Sequence, residues 1–164
     1  MGTELITIDS ILLEHIAIKH CIETLRQTVA EQATYLFESE NNWDNTHLRQ
    51  LKENHIKLVD SVQAFHDKLI GHYAHEEKDL LPMCGKLVGD GNMAEHQEII
   101  NHLKRAHDLL NESQLLGDLK PQELMAATYN IERTVEIACR VVEIHEENET
   151  NLFALLRKGL TANL

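Results

Sequence analysis

The sequence predicts an all-α protein, an antiparallel up-down-up-down four-helix bundle forming a single domain over residues 1–164. Only 7 Gly and 2 Pro occur in the chain, too few for the many turns of an all-β fold. Four long segments lack internal Pro, and each carries apolar residues at steps of three and four, the period of a helix with one buried face. Three short stretches rich in Gly, Pro, Asn and Asp separate them, at 39–46, 82–92 and 115–121, where such residues stop helices and build turns.

The first helix presents Ile11, His15, Ile18, Ile22, Leu25, Val29 and Leu36 on one face. The second presents Leu51, His55, Leu58, Val62, Phe65, Leu69, His72, Glu76 and Leu80. The third presents Met93, His96, Ile100, Leu103, His107 and Leu110. The fourth presents Leu124, Thr128, Ile131, Val135, Ala138, Val142, His145, Glu149, Leu152 and Leu156. Pro121 suits the first turn of that last helix, and Arg157, Lys158 and Gly159 suit its end. Loops this short make neighbouring helices antiparallel. His15 and His96 then sit early in their helices and His72 and His145 late in theirs, so all four meet at one depth near one end of the bundle.

Glu76 and Glu149 lie on stripes that are otherwise aliphatic, and no Lys or Arg shares any stripe. A carboxylate removed from water without a partner costs many kcal/mol, so it pairs, protonates or binds metal. Metal is the most economical counter-charge here, with neutral imidazoles completing its coordination. The pairs His72/Glu76 and His145/Glu149 are each four residues apart, which stacks both side chains on one face. A carboxylate from each of two helices can then bridge two ions held ~3.5–4 Å apart. Spacing alone weighs little. With 27 acidic residues in 164, eleven histidines give about two such pairs by chance, a false-positive rate any motif carries. A third pair, His75/Asp79, flanks the stripe rather than facing inward.

The expected ligand set is therefore His15, His72, Glu76, His96, His145 and Glu149, around two non-haem iron ions bridged by carboxylate, with manganese or zinc as alternatives. His20 is the rival to His15 but stands at the edge of its stripe. His55 and His107 lie too far along their helices to join this site; His47, His66 and His102 read as surface residues.

These motifs resemble the hemerythrin-like, or HHE cation-binding, family. HYAHEEKDLLP (72–82) is similar to its second-helix motif, and HEENETNLFALL (145–156) to its fourth, with Ala154 where Pro often falls. AEHQEI (94–99) and LLEHIAI (12–18) are similar to the motifs around the third- and first-helix histidines. The resemblance implies a di-iron centre that handles dioxygen, nitric oxide or a similar small ligand. Ile100 and Thr150 stand where the oxygen carriers have a further His and an Asp. The pattern of four His and two Glu looks more like the branch implicated in nitrosative-stress response and iron-centre repair, although the extra cysteine-bearing domain of those proteins is missing.

The expected function is thus binding of dioxygen or nitric oxide in sensing, storage or detoxification. The alternatives are a di-iron redox enzyme, acting on peroxide or nitric oxide or in iron-centre repair, and an iron-responsive interaction module. The net charge of −12 disfavours nucleic acid and anionic membrane surfaces as partners. No apolar run approaches the ~20 residues of a membrane span, and Glu4 and Asp9 stand where a secretory signal carries positive charge. Three scattered cysteines without a C-x-x-C pair suit a reducing cytoplasm.

Overall fold

A computed structural model describes residues 2–39, 45–112 and 121–162 of the chain. They form four helices, α1 (Gly2–Ser39), α2 (Asn45–Asp79), α3 (Lys86–Glu112) and α4 (Pro121–Ala162), with a 3-10 turn at Leu81–Met83 between α2 and α3. The described residues contain no strand, so the all-α expectation holds. α1 packs on α2 and α4, and α3 packs on the same two, which closes the four into a ring around a common interior. No helix among the described residues is long and apolar enough to cross a membrane.

Every stripe residue expected on α1 and α2 is buried. On α3 the stripe is rotated. Met93 is 49% exposed, while Ile99 and Ala106 are buried beside His96, Leu103 and Leu110. Ile100 and His107 stand half-buried at its edge. On α4, Leu152 and Leu156 are likewise half-buried, and Phe153 is the residue that fills the interior.

The break expected at 82–92 is shorter than its composition suggests. Gly85 is the only described residue with a left-handed backbone, at φ 84°, a region closed to most side chains. Its carbonyl accepts from Gly89 N–H at 3.0 Å, so α3 starts directly after it and runs through Gly89 and Gly91. Each such interior glycine costs about 1 kcal/mol relative to alanine, a cost that the packing of the following turns overrides. Pro121 opens α4 as expected, but the helix passes through Gly159 to Ala162. The remaining predicted breaks, 39–46 and 115–121, lie mostly outside the described residues.

Two apolar clusters divide the interior. The larger runs from Ile18 to Leu36 on α1 with its partners on the other helices, among them Phe65, Leu69, Leu103 and Val142. The smaller holds Ile8, Ile11, Leu80 and Phe153 at the far end. His15 lies between Ile11 and Ile18, His72 and Glu76 between Leu69 and Leu80, and His145 and Glu149 between Val142 and Phe153. A polar layer is therefore enclosed by aliphatic and aromatic side chains on both sides.

Candidate metal centre

All six residues expected at the site converge in this layer. His15, His72, Glu76, His96, His145 and Glu149 are each at most 7% exposed. The rival His20 points outward, with its side chain 82% exposed beside Glu23. His75 is half-buried and flanks the site, with its Nδ1 2.9 Å from Glu14 Oε1. His66 and His102 are half-buried rather than fully at the surface, and the side chain of His47 is outside the described residues.

A seventh donor appears that the stripe did not indicate. Glu146 is 8% exposed, with its Oε2 3.1 Å from His15 Nε2 and its Oε1 3.6 Å from His72 Nε2. It follows His145 directly, about 100° around the helix, which reads in sequence as a flanking position. Only the packing of α1 against this side of α4 turns it inward.

The donors fall into two groups whose atoms lie within 4.8 Å of one another: His15, His72, Glu146 and Glu149 in one, and Glu76, His96, His145 and Glu149 in the other. Either group can hold a metal ion, and Glu149 belongs to both. Glu76 also faces both sides. Its Oε1 is 3.2 Å from His15 Nε2 and 3.4 Å from His72 Nε2, and its Oε2 is 3.5 Å from His96 Nε2. His145 Nε2 lies 3.3 Å from Glu149 Oε2, and His96 Nε2 3.6 Å from Glu149 Oε1.

These separations sit at or beyond the long end for N–H···O bonds. The shorter of them match the spacing of two donors on one ion, about 3.0–3.4 Å for bonds of about 2.1 Å, and those from His96 exceed it slightly. Nε2 of His72, His96 and His145 has no hydrogen-bond partner, and neither has Oε2 of Glu76 and Glu149 nor either oxygen of Glu146. Buried polar atoms are almost always paired. A cluster of unpaired ones facing each other fits a cation better than it fits any protein partner.

The outer ring nitrogens are held by the neighbouring helices. His72 Nδ1–H donates to Glu14 on α1 at 2.8 Å, His96 Nδ1–H to Glu77 on α2 at 2.9 Å, and His145 Nδ1–H to Glu95 on α3 at 2.8 Å. A carboxylate only accepts, so in the neutral ring each bond places the lone pair on Nε2, facing the centre. His15 Nδ1 meets Thr150 Oγ1 on α4 at 2.9 Å. Asn92 Nδ2 donates to Glu149 Oε1 at 2.8 Å. Tyr73 stacks on His96 with centroids 3.9 Å apart and planes 5° from parallel, which fixes the ring plane.

The field in this layer calls for positive charge. Burial works to lower the His72 pKa, yet the carboxylates of Glu146, Glu76 and Glu14 raise it to about 9. Against the same effect of burial, Glu149, Glu76 and Glu77 raise His96 to about 10. His145 moves up in the same way beside Glu149 and Glu95. Burial pushes Glu149 up, but the His145 and His96 rings hold it well below the usual carboxylate range. A bound cation can take the place of these protons.

No family model, curated protein or solved structure matches the chain.

Proposed function

We propose that the chain is a non-haem di-iron protein of hemerythrin-like type that binds dioxygen or nitric oxide. The observation that carries this reading is the enclosed set of four histidines and three glutamates, in which Nε2 of His72, His96 and His145, Oε2 of Glu76 and Glu149, and both oxygens of Glu146 lack hydrogen-bond partners. The donor set of nitrogen and carboxylate oxygen, with no thiolate, suits iron before zinc. The motif resemblance at 72–82 and 145–156 supports the same assignment. Contacts between neighbours support an up-down-up-down arrangement. Residue numbers rise on one helix as they fall on the next, with Glu14 beside His72 and Asn54 Nδ2 bonded to Thr28 O. Arg157 meets Asp9 while Arg26 meets Glu143, and Glu77 meets His96 while His55 Nε2 meets Leu110 O.

In this reading His15 and His72 would hold one ion, His96 and His145 would hold the other, and Glu76 and Glu149 would be shared between them. Bound iron would supply reversible electron transfer and positions open to a small ligand. The chain's own part is to aim each Nε2 inward through its Nδ1 bond, and to keep bulk water out with Ile11, Leu80 and Phe153. A dry surround of this kind slows proton delivery, which favours reversible binding over release of reduced product.

The test is metal analysis and an optical spectrum of freshly purified protein. Two iron ions per chain are expected, falling below two in Glu149→Ala; an unchanged ratio in that variant refutes the assignment. Mixing the reduced protein with oxygen in a stopped-flow instrument separates binding from turnover. A stable adduct that reverses under vacuum supports binding, whereas rapid decay to oxidised iron with product overturns it.

A further inference from the structure

A cavity of about 760 Å³ lies between α1 and α4. Its apolar wall includes Leu12, Ile16 and Ile22, Arg140 stands on the opposite wall, and it also touches His15 and Glu146. It therefore borders one half of the candidate centre, the half formed by His15, His72 and Glu146.

Three features mark that half as the more exchangeable. Of the four histidines, His15 is held at Nδ1 by a neutral hydroxyl, where the other three have carboxylates. Carboxylate partners raise the basicity of a ligating imidazole and fix its orientation, so His15 is the least firmly held. Glu146 is the least tied carboxylate: neither oxygen forms a hydrogen bond, its Oε2 and Oε1 lying only 3.1 and 3.6 Å from the ring nitrogens of His15 and His72, while Glu149 is tied by Asn92. Glu146 is also more than nine-tenths buried and lines the cavity, so it stands between the open volume and the inner donors.

Resting on the di-iron reading above, we infer that the α1–α4 cavity is the route by which a small exogenous ligand reaches the centre, and that Glu146 is the carboxylate it displaces. Glu146 closes the centre when no ligand is present. An incoming molecule takes its place on the His15 side, and the freed carboxylate swings into the cavity, which has room for it.

Azide, a small anion that reports optically on ferric iron, serves as the probe for the full-length, iron-loaded and oxidised protein. Glu146→Gln and Glu146→Ala are expected to keep two iron ions per chain and to bind azide at least tenfold more tightly. Glu147→Gln removes the same charge from the outer cavity wall and is expected to change affinity less than twofold. Ile16→Trp alters a residue 67% exposed at the cavity wall. It is expected to lower the azide association rate at least fivefold with affinity unchanged. Loss of an iron ion from both Glu146 variants would make Glu146 an obligatory ligand and overturn the displacement. Unchanged azide affinity, or an equal gain in Glu147→Gln, overturns it as well. An unaltered association rate in Ile16→Trp overturns the route. A wild-type protein that binds no iron overturns the reading beneath, and the inference with it.

Discussion

Glu14, Glu77 and Glu95 each stand beside a donor in the chain, yet each bonds a histidine on a different helix. Read along the sequence they look like solvent-face charges, because nothing local tells which helix packs alongside. The six donors themselves are legible, since each interrupts an aliphatic stripe at helical period. Glu146 is not, because its burial depends on how closely α1 approaches α4. His55 shows the same division at the other end of the bundle. Its place on the stripe is visible in sequence, but its bond from Nε2 to Leu110 O at 3.0 Å is not. Burial lowers the His55 pKa, with the Leu110 carbonyl opposing. The folded state thus binds fewer protons than the unfolded one between its lowered pKa and about pH 6.5. The stabilising contribution is complete above that value and is lost as pH falls through the folded pKa. Denaturant unfolding of metal-free protein at pH 7 and pH 5 checks this. The wild type is expected to lose more stability over that interval than His55→Gln, whose side chain stays neutral while still reaching the carbonyl.

Among the elements, α1 and α4 are joined outside the core by Arg26. Its guanidinium bonds Glu136 at 2.7 and 2.8 Å and also bonds Glu143. Paired forks of this kind are stronger than single contacts, but the groups are partly in water and screened. Arg26→Ala is expected to cost about 1 kcal/mol, a fall in melting temperature of about 2–4 °C for a chain of this size. The difference should shrink in 1 M salt; thermal melts at low and high salt read it directly. The stripes of α1 and α2 were legible because their positions recur at helical period, although the buried Ile8, Gln32, Asn54 and Tyr73 lay outside them. On α3 the choice between Ile99 and Ile100 turned on a rotation of one residue, which a stripe with apolar residues at both positions leaves undetermined. The early start of α3 was hidden by Gly89 and Gly91, whose local preference the surrounding packing outweighs.

For the whole molecule, a metal held by a centre that joins four helices would become part of folding stability. Only the assembled bundle presents the complete donor set, so a bound metal would favour the native state by mass action. Free metal at a thousand times its dissociation constant adds about 4 kcal/mol, or about 8–16 °C in melting temperature for a domain of this length. Calorimetry before and after chelation is expected to show a drop of that order. No drop would mean that the donors hold nothing at the concentrations used. The two apolar clusters on either side of the polar layer do not depend on metal, so chelation is expected to lower stability without unfolding the protein at 25 °C.

The bonds that steady the histidines run from α1 to α2, α2 to α3, α3 to α4, and from α4 back to α1. No fragment cut from the chain, whether one helix or a hairpin, retains every donor together with its support. The optical spectrum of the loaded protein would therefore report completion of the last step of assembly. Partly folded species would stay colourless, and the appearance of colour during refolding would time the closing of the circle.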